Sequence, residues 1–176
     1  MTKLIIVCGL PGSGKTTLAR ELSRKLRIPC ICKDDIKEKL YESMKLSTLD
    51  DSKRIGKPSI DVMLYLAEQQ LVNRIDVIIE SPFNFSEDYP MFEVLVEKYN
   101  LDLYSIICSI DFNRRKERFL ARERHVAHHD NQRILDHLPE SKTEYDYASM
   151  PGKQIRIITN KKVNELVRGI VREIAN

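Results

Sequence analysis

The chain has 176 residues, 42% hydrophobic and 31% charged, which suits one well-buried core in a globular protein. Twenty-nine Lys and Arg against 26 Asp and Glu leave a formal charge of +3, which neither demands nor excludes a nucleic-acid partner. No apolar run approaches a membrane span, and the first strand-like run begins at Lys3, so a cytoplasmic protein without a signal peptide is expected. Cys8, Cys30, Cys32 and Cys108 lack zinc-ligand spacing and read as buried free thiols of a reducing compartment.

Apolar runs of strand length alternate with amphipathic stretches of helix length. The strands predicted are Leu4–Val7, Cys30–Cys32, Asp76–Ile79, Tyr104–Ile110 and Ile155–Thr159. Most are continuously apolar, as strands covered on both faces should be. The helices predicted are Thr17–Leu26, Ile36–Met44, Ser59–Arg74, Asp88–Tyr99, Asn113–Arg124 and Lys162–Ile174. Pro58 suits a first turn, and Asp111 suits an N-cap. This alternation predicts an α/β fold with a parallel sheet and helices on both faces, in a single domain over 1–176. The irregular stretch His125–Lys153 is expected to form a lid and a connection to the last strand, the lid running over about 113–140.

Between the first strand and helix lies GLPGSGKT, which satisfies G-x-x-x-x-G-K-[ST] in its proper strand-to-helix context. Gly9, Gly12 and Gly14 permit backbone angles that let successive N–H groups, Ser13 and Thr17 included, converge on phosphate oxygens. The helix beginning near Lys15 adds its positive dipole end. Lys15 is expected on the β- and γ-phosphates, and the Thr16 hydroxyl on magnesium.

The second strand runs into KDDIKEKL, where two carboxylates open a helix and Lys37 follows one turn on. Such a carboxylate can take the proton of an attacking hydroxyl; it also fits an ordinary acidic helix start. In NRRKERFLARER, Arg118 and Arg122 would share a helix face. They are either a solvated face or an arginine lid over transferring phosphate. His125, His128 and His129 fit solvated lid residues, or phosphate and acceptor contacts, better than metal ligands.

An N-terminal P-loop, an Asp after the second strand and R-x-x-x-R together resemble the small P-loop kinases. Within this AAA-domain group the polynucleotide 5′-hydroxyl kinase, chloramphenicol phosphotransferase and zeta-toxin relatives look most similar. The resemblance implies a P-loop NTPase fold with sheet order 2-3-1-4-5, Mg²⁺ with ATP, and transfer of the γ-phosphoryl to a hydroxyl. It makes Asp34 the general base with Asp35 beside it, and Arg118 and Arg122 the lid pair that binds nucleotide and assists catalysis with Lys15. Lys37 stands where polynucleotide kinase has Arg, and Glu80 where many relatives carry Asp; Lys37 and Asp34 are expected at the acceptor, and Glu80 either there or on magnesium through water. Thr159 and Asn160 stand where relatives often read Asp-Thr, beside the base. A small-molecule acceptor is expected, with a polynucleotide 5′-hydroxyl kinase or a non-catalytic nucleotide switch as alternatives.

Overall fold

A computed structural model describes residues 1–132 and 147–175. In chain order it contains β1 (Thr2–Gly9), α1 (Lys15–Leu26), β2 (Cys30–Cys32), α2 (Lys33–Ser43), α3 (Leu49–Arg54), α4 (Gly56–Val72), β3 (Val77–Glu80), α5 (Pro90–Tyr99), β4 (Leu101–Ser109), α6 (Phe112–Ala121), β5 (Lys153–Ile158) and α7 (Val163–Ala175). Every pairing is parallel, and the strand order is β2-β3-β1-β4-β5, as the resemblance implied.

The continuous apolar runs follow from double burial of the sheet. On β1, Leu4, Ile6 and Cys8 face α4 and α5, meeting Met63, Ala67, Leu71 and Phe92. Ile5 and Val7 point the other way, to Leu18 and Leu22 of α1 and Val167 and Ile170 of α7. Neither face of the central strand meets water, so neither alternates with polar residues. The order reverses about β1, and ligands of such sheets bind outside the carboxyl ends of the strands at that reversal. There the loop after β1, the start of α2 and the end of β3 converge. Among the described residues, no helix is long and apolar enough to cross a membrane.

Several elements differ from the sequence reading. α1 and α2 begin at Lys15 and Lys33, so the phosphate-directed lysine and both aspartates are already helical. α3 was not predicted; its signal is local, a capping box in which Thr48 and Asp51 satisfy each other's amides. Asp111 does cap α6, accepting from the Arg114 amide. α6 stops at Ala121, however, and Arg122 is extended (φ −87°, ψ 134°). The expected helical face shared by Arg118 and Arg122 therefore does not form. Residues 133–140 of the expected lid lie outside the described residues.

Met63 is fully buried against β1, whereas its neighbour Val62 is 39% exposed. Met63→Ala should cost about 2–5 kcal/mol of unfolding free energy. Val62→Ala should stay within about 0.5 kcal/mol. Urea denaturation of the two variants checks this division.

Candidate functional site

The loop from Gly9 to Gly14 has little room for side chains. Gly9 has φ +146°, and a Cβ there would lie 2.4 Å from the Cys108 carbonyl oxygen. Gly12 has φ +84°, and its Cβ would lie 2.9 Å from the Arg115 carbonyl oxygen. Both glycines are thus required by packing as well as by backbone angle. The Ser13 carbonyl accepts a 2.6 Å hydrogen bond from the Thr159 hydroxyl, tying the loop to the end of β5. Gly14 starts α1 in the left-handed region; no side chain caps the helix, and its first turn holds no acid. Its positive end and free amides are a ready anion site.

Lys15 and Thr16 meet Glu80. The Lys15 ammonium lies 3.6 Å from Glu80 Oε1, and the Thr16 hydroxyl donates to Oε2 at 3.1 Å. Glu80 ends β3, in register with Val7 and Cys32 on its two neighbours, and is 2% exposed. Burial pushes its carboxyl up from the ordinary value, while Lys15 and Thr16 pull it down. Glu80 thus joins the end of β3 to the lysine and threonine of the phosphate loop.

Asp34 and Asp35 diverge, as neighbours on a helix must. Asp35 pairs with Arg20 of α1 at 2.6 Å, in solvent. Asp34 takes Lys33 at 3.3 Å and Arg124 at 2.5 Å. Burial acts to raise the Asp34 carboxyl, but the surrounding cations outweigh it and hold it well below the usual carboxylate range. Burial pushes the nearby His128 down to about 3, so this imidazole is neutral near pH 7; in the acid where Asp34 titrates it is protonated and joins Lys33, Arg124 and Lys15 in holding the carboxyl down. Arg124 was not singled out in the sequence; it sits past the helix end, where spacing carries no information. Lys37, on the wall of the same hollow as Asp34, is buried and donates to Ser52 Oγ at 2.7 Å.

The three histidines brace α2 rather than standing in solvent. His128 Nε2 bonds Glu38 at 2.7 Å, His129 Nε2 bonds the Tyr41 hydroxyl at 3.0 Å, and His125 lies 3.4 Å from Glu42. The two expected lid arginines separate. Arg118 donates to the Thr159 carbonyl at 2.8 Å, and its guanidinium would lie 3.3 Å from a Cβ on Gly14. Arg122 stacks on Phe119 and bonds Asp130, which also takes Arg124.

Two hollows flank the loop. One of about 550 Å³ is lined by Lys15, Thr16, Asp34, Arg122, Arg124 and His128, among others. The other, about 180 Å³, lies between Gly14, Thr17, Arg118, Thr159 and the start of α7.

Residues 4–141 match the AAA domain family. The cytidylate kinase of Pyrobaculum neutrophilum is 32% identical over 78 residues, 44% of this chain and 42% of that protein. The chain spans less than half the length of the curated relatives it matches. A candidate kinase from Chloroflexus aurantiacus is 25% identical with a TM-score of 0.84, over 99% of this chain and 96% of that one. Shikimate kinase of Acinetobacter baumannii, solved with shikimate, shares the fold at 15% identity, with a TM-score of 0.59 over 99% and 94% of the two chains. With a P-loop on the central strand of a 2-3-1-4-5 parallel sheet and a family match across most of its length, the chain belongs to the AAA domain family and has the fold of the small P-loop kinases.

Proposed function

We propose that the protein transfers the γ-phosphoryl group of ATP to a hydroxyl of a small molecule. The observation that carries this is the ionised Asp34, which shares one cavity wall with Lys15 and Thr16. Relatives named as kinases support the reading.

In this reading the α1 amides and Lys15 hold the triphosphate, and the base lies in the smaller hollow beside Arg118 and Thr159. The acceptor oxygen attacks the γ-phosphorus and forms a new P–O bond. The bond to the β-phosphate oxygen breaks, ADP leaves, and the hydroxyl proton passes to Asp34 Oδ. Arg122 and Arg124, on the wall of the larger cavity, offset the negative charge of the transferring group. Thr16 Oγ1 and Glu80 Oε2, 3.1 Å apart, are hard oxygen donors that suit magnesium, directly or through water. Held there by Thr16 and Glu80, magnesium would supply positive charge that offsets the negative charge of the phosphates.

ADP release should be measured with Mg-ATP against sugars, antibiotics, nucleosides and 5′-hydroxyl oligonucleotides. Release driven by a small-molecule member supports the proposal. Release with oligonucleotides alone favours a polynucleotide acceptor, and ATP binding without release with any member favours a nucleotide switch.

Lys15→Ala should weaken Mg-ATP binding by about 10- to 100-fold in calorimetry, the worth of a hydrogen-bonded charge on phosphate. Asp34→Asn should leave that affinity intact and slow transfer by roughly 10²- to 10⁴-fold, while Asp35→Asn slows it little.

Arg118 and Arg122 should differ in steady-state kinetics. Arg118→Ala should mainly raise the KM for ATP, about tenfold, because its contacts lie beside the base hollow. Arg122→Ala should mainly lower kcat, by roughly 10- to 10³-fold. Equal effects of the two on KM would contradict the split.

Arg124→Ala removes a cation that keeps Asp34 ionised, so the Asp34 pKa should rise. In the wild type Asp34 is already deprotonated below the ordinary carboxylate range, so its protonation limits transfer only in strong acid. In the variant the acid limb of the kcat/KM profile should move to higher pH. An unmoved acid limb would show that Arg124 does not set the charge of Asp34.

A further inference from the structure

A third hollow of about 310 Å³ adjoins the large cavity and shares Lys33, Lys37, Pro82, Asn84 and Phe85 with it. Among the described residues, its wall carries four lysines (Lys33, Lys37, Lys53 and Lys57) against a single carboxylate, Asp88. Part of that charge is spoken for locally: Lys33 pairs with Asp34, and Lys57 lies 3.1 Å from Asp61 and 4.0 Å from Asp88. Lys53 makes no ion pair with any described residue. Gly56, the first residue of the 17-residue α4, also lines the hollow, and the first turn of α4 contains no acid. The helix dipole therefore adds to the ammonium groups.

The opposite wall is built to stay in place. Phe83 holds φ +42°, a strained value for a bulky residue, and is 3% exposed. The Tyr89 hydroxyl grips its carbonyl at 3.0 Å, and the Tyr147 hydroxyl grips the Pro82 carbonyl. The turn so fixed carries Asn84 and Phe85 to the junction of the two hollows, where Phe85 is 60% exposed. A positive basin beside a fixed aromatic edge, one lysine away from Asp34, suits the non-reacting end of an acceptor.

We propose that this hollow binds an anionic group of the phosphoryl acceptor, a phosphate or a carboxylate, through Lys53, Lys57 and the amino end of α4, while the acceptor hydroxyl lies at Asp34. The proposal rests on the kinase reading and narrows its acceptor to anionic small molecules. Neutral sugars and nucleosides lack the group this basin attracts.

Matched pairs test it: a sugar phosphate with its sugar, a nucleoside 5′-monophosphate with its nucleoside, and a hydroxy acid with its amide, each with Mg-ATP. Transfer should favour a charged member. Reversing both charges (Lys53→Glu with Lys57→Glu) should raise the KM for that member roughly tenfold or more, with kcat and the Kd for Mg-ATP little changed. Transfer to neutral members as efficient as to their charged partners overturns the anionic site and leaves the kinase reading standing. Transfer to no member counts against the kinase reading, and the hollow is then judged by binding alone. Inorganic phosphate, or acetate in a parallel arm, is titrated into protein loaded with magnesium and a non-hydrolysable ATP analogue. Amide NMR shifts at Lys53, Gly56 and Lys57 that the double reversal abolishes sustain the site, and the responding arm tells phosphate from carboxylate. No shift at these residues in either arm overturns it.

Discussion

A carboxylate buried at the end of β3, held by the lysine and threonine of the phosphate loop, is the constraint around which the strand ends are arranged. Taking such a charge out of water costs several kcal/mol, and an ion pair inside a protein seldom recovers more than it loses. Apolar residues of similar size at Glu80 and Lys15 would serve the sheet as well or better. The pair is therefore weak evidence for stability and good evidence for a role toward phosphate or a cation. Its position follows from register: Glu80 sits beside Val7 and Cys32, so the first residues of α1 and α2 open around it.

Asp34 depends on that arrangement and on a second one, contributed from some 90 residues away. The segment after α6 reaches back to α2 through Arg124 on Asp34, His128 on Glu38 and His129 on Tyr41, and the Ala127 carbonyl takes Ser52 of α3 at 2.6 Å. With His128 uncharged near pH 7, the cation this segment pairs with Asp34 there is Arg124. An aspartate kept ionised so firmly is a weak base in the ground state. That suits a loose phosphoryl-transfer transition state, in which positioning of the hydroxyl matters more than early removal of its proton.

The phosphate loop was fully legible, because its chemistry and its spacing lie within eight consecutive residues. The parallel sheet was legible from its continuous apolar runs; the strand order came from resemblance, since periodicity says nothing about which strands are neighbours. Helix ends were the weaker part. Arg122 fits the helical repeat on paper, but the chain becomes extended there, and only tertiary partners such as Asp130 and Phe119 account for its place. Arg124 and the histidine contacts were illegible for the same reason: their partners lie on α2, and no local pattern links the two segments. The partner of the Lys37 ammonium, Ser52, lies on α3, which helical spacing around Asp34 does not reveal. The capping box that starts α3 is local, with Thr48 and Asp51 three residues apart in the sequence.

This uneven legibility reflects how the site is divided. The nucleotide half is braced from behind: Arg115, fully buried, blocks any side chain at Gly12, and Thr159 holds the Ser13 carbonyl. Such a half tolerates little change, so its residues cluster into a recognisable motif. The half proposed for the acceptor is assembled from α2, the α3–α4 junction, the turn after β3 and the segment after α6, four pieces distant in sequence. Each contributes several side chains, none of them in the phosphate loop. On the proposed kinase reading, a fold built in this way keeps its phosphoryl donor fixed while its acceptor pocket changes piece by piece. The pattern of charge in that pocket is therefore a better guide to the acceptor than the motif that binds the nucleotide.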